Sequence, residues 1–190
     1  LFILLIRMKV KTIMIKIELV KTPRQKKEFL NFPLKLYKNV PWFLPYLYSD
    51  ALESMDPEKN FSFRFCEARF FLAKRGSETV GRIAAIINHK ANEKWHKKQM
   101  RFWQVDFIDD YEVSAALFRV VEKWAKKKGC TEVVGPLGFT DLDLEGMLVD
   151  GFRETGIFCT YYNFPYYRKH LKALGYKKDA DWLEYKMHIP

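Results

Sequence analysis

The 190-residue sequence is poor in cysteine, histidine and glycine and has no long apolar run, and each shortage closes off a class of function. Cys66, Cys130 and Cys159 are odd in number, widely spaced and outside any C-x-x-C pattern. That argues against a disulfide framework and suits a reducing compartment, so the chain is expected in the cytoplasm. His89, His96, His170 and His188 show neither paired ligand spacing nor an H-E-x-x-H pattern, and no cysteine pair stands beside them. The string Asp141-Leu142-Asp143-Leu144-Glu145-Gly146 opens like an EF-hand loop, but Phe152 occupies the twelfth position, where a bidentate Glu is required. No metal is expected.

The opening Leu1 to Ile6 is apolar but far short of the roughly 20 residues a spanning helix needs, and Arg7, Lys9 and Lys11 follow it directly. A signal peptide would carry its positive charges before the apolar run and small residues at a cleavage site, and neither is present. The expected natural start is Met14, with residues 1 to 13 an extension outside the fold and residues 14 to 190 one domain. No membrane partner is expected.

An apolar fraction of 48% with 16% aromatics supplies one substantial core. The formal net charge of +10 is divided among lysine groups with Glu and Asp between them, the pattern of a solvated surface and not of a basic stripe. No nucleic-acid partner is expected.

Ile15 to Leu19 alternates apolar and charged residues, as a half-buried strand does. Thr22 before Pro23 caps a helix carrying Phe29, Phe32, Leu36 and Tyr37, with a kink expected at Pro33. A short helix over Asp50 to Met55 follows an aromatic and proline-rich connection. Glu67 to Lys74 and Thr79 to Asn88 read as a hairpin around Arg75-Gly76-Ser77-Glu78, and Arg101 to Ile108 as a further strand. Val113, Ala116, Leu117, Val120, Val121 and Trp124 mark one buried face of a helix from Tyr111 to Lys128, which Gly129 ends. Thr131 to Val134 is then a strand closed by Gly135-Pro136. A last helix runs from Pro165 to Gly175, and Trp182 to Ile189 reads as a closing strand. This order predicts an α/β domain with a mixed, mostly antiparallel sheet flanked by helices on both faces.

The element order and several strings resemble the GNAT (acyl-CoA N-acyltransferase) superfamily: Val80-Gly81-Arg82-Ile83-Ala84, Glu122 to Gly129 and His170 to Tyr176. A more specific likeness covers Gly135 to Tyr185. There Gly135-Pro136, Glu145-Gly146-Met147-Leu148-Val149-Asp150-Gly151-Phe152 and Tyr162-Asn163-Phe164-Pro165-Tyr166-Tyr167 resemble a group of bacterial GNAT-like proteins that are typically longer than this chain. The resemblance implies correspondence to the first half of a two-domain protein, with a second GNAT-like domain or a homodimer as partner.

The resemblance also implies an acyl transfer from acetyl-CoA or another acyl-CoA to a primary amine of a small molecule or peptide. Such enzymes pair the thioester arm with exposed strand backbone and rest the pyrophosphate on the start of the main helix. Cofactor contacts are accordingly expected at Phe107, Ile108, Asp110, Ser114 and Asn163, and amine contacts at Asp141, Asp143, Glu145 and Tyr162. Tyr167 stands in for the usual acid tyrosine, one turn before Leu171, and Asp106 is the candidate base. One departure is marked. Glu112-Val113-Ser114 occupies the place of the usual Gly-x-Gly, and Asp109, Asp110 and Glu112 put negative charge at a helix N-terminus, which suits the helix and repels phosphate. The competing expectation is therefore a non-catalytic GNAT-like binding or scaffold domain.

Overall fold

A computed structural model describes residues 14–157, 160–185 and 187. Cys159, His188 and residues 1 to 13 lie outside the described residues.

Strands β1 (Ile15–Leu19), β2 (Cys66–Arg75), β3 (Glu78–Asn88), β4 (Gln99–Phe107) and β5 (Glu132–Val134) form one sheet in sequence order. The first three pairings are antiparallel and β4 to β5 is parallel. The order requires it. β2 and β3 are joined by the tight turn at Gly76, whose φ of 62° falls in the left-handed region, whereas β4 returns to β5 through a helix that reverses the chain.

Helices α1 (Pro23–Leu36) and α2 (Tyr48–Ser54) cover one face; α4 (Tyr111–Lys127) and α5 (Tyr166–Ala173) cover the other. On the first face Phe29, Leu30, Ala51 and Met55 pack against Phe70, Leu72, Ala84, Ile86 and Trp103. On the second, Val113, Leu117, Phe118, Val121 and Tyr167 meet Phe71, Ile83, Ala85, Ile87, Phe102 and Phe107. The strand period of two distributes β3 between them, with Ile83, Ala85 and Ile87 on one side and Ala84 and Ile86 on the other. Short helix α3 (His89–Lys94) and a 3-10 turn at Phe61–Arg64 were not legible in the sequence. Asn88 and Asn60 cap them through side-chain oxygens.

The described part of the expected closing strand, 182 to 185 and 187, makes no strand pairing. Its apolar alternation finds no sheet edge, and Trp182 lies instead beside Gly146. Among the described residues no helix is long and apolar enough to cross a membrane.

Two irregularities in the sheet shape the region at its β4 edge. β4 carries a bulge: Arg82 stands opposite Asp106 and Ala84 opposite Trp103, so Gln104 and Val105 face Ile83 alone, with Gln104 at a φ of 42°. The extra residue reverses the facing of the rest of β4. Trp103 points to the α1 side, Val105 and Phe107 to the α4 side, and Asp106 arrives on the α1 side beside Arg82. The second irregularity is that β5 pairs with β4 only over Gln99 to Arg101. Leu137 N donates to Phe102 O at 2.9 Å, and beyond this point the β4 edge has no strand neighbour among the described residues.

Helix α4 packs close to the sheet at Gly81. A Cβ built there would lie 2.8 Å from Leu117 Cδ1, 3.0 Å from Val113 Cγ1 and 3.1 Å from the Asp106 carbonyl oxygen. Gly81→Ala is expected to destabilise the fold by about 1–3 kcal/mol through overpacking, read as a lower urea midpoint with an unchanged m-value.

Candidate functional site

Pro33 sits inside α1 and has no N–H, so the Phe29 carbonyl four residues earlier loses its helical donor. Arg82 supplies the missing donor: Nη1 donates to Phe29 O at 3.0 Å and to Tyr46 Oη at 3.0 Å, while Tyr46 Oη donates to Leu30 O at 2.6 Å. Nε of the same guanidinium donates to Asp106 Oδ2 at 2.7 Å. Arg82 is 1% and Asp106 6% exposed, so this is a buried ion pair, with Nη1 engaged by Phe29 O and Tyr46 and Oδ1 of Asp106 left for a further donor. Burial opposes the Arg82 charge, but Tyr46 and Asp106 outweigh it and raise its pKa above the ordinary value.

From Asp106 the network crosses to the other helical layer. Tyr37, the residue that ends α1, donates from Oη to Asp106 Oδ1 at 2.7 Å. Tyr37 Oη lies 2.8 Å from Tyr167 Oη on α5, which also accepts from the Phe107 amide at 3.0 Å. A phenol has one proton, and that of Tyr37 is on Asp106, so the Tyr167 hydroxyl donates to Tyr37. Both phenols are raised well above their ordinary pKa, first by burial and next by the Asp106 charge, and they stay protonated at neutral pH.

Asp106, Tyr162, Asn163 and Tyr167 all border a void of about 10 Å³ under the 137–164 loop, together with Val105, Pro136, Gly146, Met147 and Tyr161. That is room for about one water molecule. Tyr161 Oη is buried with no hydrogen-bond partner among the described residues, as is Gln104 Oε1 on the bulge. Tyr162 stacks edge-on with Tyr37, ring centres 5.4 Å apart. Asn163 clasps the loop, its Oδ1 accepting from Leu148 N at 2.7 Å and its Nδ2 donating to Leu148 O and Phe164 O, both at 3.1 Å.

The loop carboxylates do not converge on this void. Asp143 accepts from the Thr140 amide at 2.8 Å and caps the local turn. Asp141 is exposed. Glu145 is half-buried; burial first, then repulsion from Asp141, raises its carboxyl above the usual range.

The expected cofactor contacts on β4 and α4 already have partners within the chain. Phe107 N is bonded to Tyr167, Phe107 O accepts from Tyr166 Oη at 2.5 Å, and Ile108 N donates to Val80 O at 3.1 Å. Asp110 Oδ1 accepts the Glu112 amide at 2.8 Å while its Oδ2 pairs with Arg75. Ser114 Oγ donates to Tyr111 O at 3.0 Å and meets His170 Nδ1 at 2.8 Å, and His170 Nε2 lies 2.8 Å from Asp109 Oδ1. The α4 N-terminus is thus filled by the chain's own carboxylates, so its residues do not fit the pyrophosphate of CoA. Among the described residues no group of three or more His, Cys, Asp or Glu is assembled that could hold a metal ion.

Tyr37, Arg82, Tyr46 and His170 were not singled out from sequence as site residues. Arg82 alone left a signal, as the single charge in the apolar run Val80 to Ile87.

Comparison with known proteins agrees with this geometry at the level of the fold. Solved structures that superpose include one described as a "Putative acetyl transferase from Pyrococcus furiosus", with a TM-score of 0.50 at 17% identity over 90% of this chain and 100% of that one. Another is an aminoglycoside acetyltransferase from an uncultured soil metagenomic sample, with a TM-score of 0.53 at 9% identity over 92% of this chain and 97% of that one. The fold is that of the GNAT acyltransferases. No family model matches the sequence. Among curated proteins, Protein YghO of Escherichia coli is 32% identical over 161 residues, 85% of this chain and 41% of its own length. A bacterial ceramide synthase of Caulobacter vibrioides is 30% identical over 168 residues, 88% of this chain and 44% of its own length. The chain therefore spans less than half the length of the curated relatives it matches.

Asp106→Ala leaves the Arg82 charge buried and unpaired, and an unfolding loss of about 3–5 kcal/mol is expected. Asp106→Asn, which keeps an acceptor for Nε, should lose clearly less in the same urea series. At the helix terminus, Arg75 holds the Asp110 carboxyl below its ordinary value, with the Glu112 and Val113 amides adding to the effect. Its stabilising contribution is therefore complete above the ordinary carboxylate range of about 4 and is lost as pH falls through the lower folded value. Asp110→Asn keeps the cap but not the charge, so its urea midpoint should fall less steeply than that of the wild type between neutral and acid pH.

Proposed function

We propose that this chain is an N-acyltransferase domain that moves an acyl group from acyl-CoA to a primary amine of a small molecule or peptide. The observation that carries the reading is the buried Asp106-Tyr37-Tyr167 network at the part of β4 that lies beyond its pairing with β5. In this reading the amine nitrogen attacks the thioester carbon, the carbon–sulfur bond breaks, and an amide and a thiol result. Asp106 takes the proton from the attacking amine and Tyr167 gives one to the departing sulfur. Access to Asp106 requires the 137–164 loop to shift, because the present void admits only about one water.

The reading assigns the domain to residues 14 to 190, working in the cytoplasm and completed by a second domain or a second copy. Because the α4 N-terminus is already filled, the donor is gripped mainly through its acyl and thioester end. A ceramide is the amide of a fatty acid with a long-chain amino alcohol, so the name of the Caulobacter relative makes a fatty acyl-CoA and a long-chain amino alcohol the first pair to test. The filled helix terminus favours a second reading, a non-catalytic GNAT-like binding or scaffold domain.

Incubation with palmitoyl-CoA and sphinganine, followed by mass spectrometry of the amide and by thiol release, separates the two. The acyltransferase reading expects amide and free thiol in equal amounts, with kcat lowered about 10²-fold or more by Tyr167→Phe at little change in KM. If a panel of acyl-CoA donors and primary amines yields no amide, the stand-alone acyltransferase reading fails, leaving a scaffold domain or half of a larger active protein.

A further inference from the structure

We propose that Tyr37 joins Asp106 and Tyr167 into one reversible proton relay, so that the proton taken from the amine replaces, through Tyr37, the one that Tyr167 gives to the leaving sulfur. The proposal rests on the acyltransferase reading above and deepens it.

The hydrogen count on three groups carries the argument. With Asp106 charged, every donor points toward it: Tyr37 Oη donates to Oδ1 at 2.7 Å, Tyr167 donates to Tyr37 at 2.8 Å, and the Phe107 amide donates to Tyr167 at 3.0 Å. In this state the Tyr167 proton faces Tyr37 and cannot reach a substrate. Once Asp106 has taken a proton from nitrogen, its Oδ1 becomes the donor and the chain reverses. Asp106 then donates to Tyr37, Tyr37 donates to Tyr167, and the Tyr167 proton is free for sulfur.

The step balances. The nitrogen loses one proton, sulfur gains one, and the relay returns to its first arrangement with Asp106 charged. Arg82 on Oδ2 and the Phe107 amide on Tyr167 are unchanged by the reversal, so the two ends stay fixed while the hydroxyls turn. Tyr37 and Tyr167 are 1% and 0% exposed, which shields the relay from bulk-water protons.

Burial supports the same conclusion from the other side. The Tyr167 phenol is held well above its ordinary pKa, so a lone Tyr167 that gave up its proton would leave a costly buried phenolate. Refilling from Asp106 through Tyr37 avoids that state. Tyr37 touches neither the amine nor the thioester and is a positioning residue. Its ring is held by Phe43, Tyr162 and Phe164, with centres 4.8, 5.4 and 5.0 Å away, contacts that Tyr37→Phe keeps.

Two measurements test this, and the first needs no turnover. Asp106→Asn can present an amide N–H to Tyr37 while its oxygen still accepts from Arg82, which imitates protonated Asp106. NMR of the Tyr167 ring carbon bearing oxygen should show a clear shift on Asp106→Asn. The same exchange in a Tyr37→Phe background should leave that signal nearly in place. Equal shifts in both backgrounds would overturn the relay. In the second measurement, transfer from palmitoyl-CoA to sphinganine should lose about 10²-fold in kcat on Tyr37→Phe with KM for the donor little changed. A kcat near that of the wild type would also overturn it. The NMR result is read even where no amide forms, so failure of the relay and failure of the acyltransferase reading remain distinct.

Discussion

The buried ion pair between Arg82 and Asp106 is the contact on which the arrangement of this domain turns. Two opposite charges in a low-dielectric interior are tolerable only when geometry and additional hydrogen bonds compensate their lost hydration. Here the compensation comes from α1 and from the connection that follows it. α1 offers the Phe29 carbonyl because Pro33 cannot use it, the following connection offers Tyr46, and the end of α1 offers Tyr37. The bulge in β4 makes the pair possible, since a regular strand would have turned Asp106 to the opposite face of the sheet.

That pair lies next to the place where β4 and β5 cease to be neighbours. In a sheet flanked on both faces, such a parting is where side chains from the two helical layers can meet, and Tyr37 from one side reaches Tyr167 from the other. The result is a polar spine through an otherwise apolar interior. Beside it lie Tyr161 Oη and Gln104 Oε1, buried atoms without a partner among the described residues. A buried polar atom without a partner costs about 1–3 kcal/mol, and such atoms gather where a ligand or a water is to be received. The start of α4 is different in character. Its amides, carboxylates and the His170 ring satisfy one another, which stabilises the helix and closes the surface that the fold elsewhere offers to a pyrophosphate.

Much of the architecture was legible because it rests on local signals. The alternation of Ile15 to Leu19, the Thr22-Pro23 cap, the turn at Gly76 and the stripe from Val113 to Trp124 each describe a structure that neighbouring residues can enforce. The candidate site was legible only in part. Asp106 and Tyr167 were marked by residue type and position, but their connection was not, because Tyr37 lies 69 residues from Asp106 and 130 from Tyr167. Asn163 looked like a ligand contact and is a clasp on Leu148, since nothing in its neighbours reveals that the loop folds back upon it.

The sequence by itself therefore determined most of the periodic elements, their order and the double-sided apolar pattern that makes an α/β sheet, because strand and helix periods are written in residues two to four apart. Tertiary structure alone decided the facing of Asp106, which one extra residue in a bulge reverses, and the pairing of hydroxyls that converge from α1 and α5. Those depend on where separate segments end in space to within a hydrogen-bond length, and no local pattern of residue types encodes that distance.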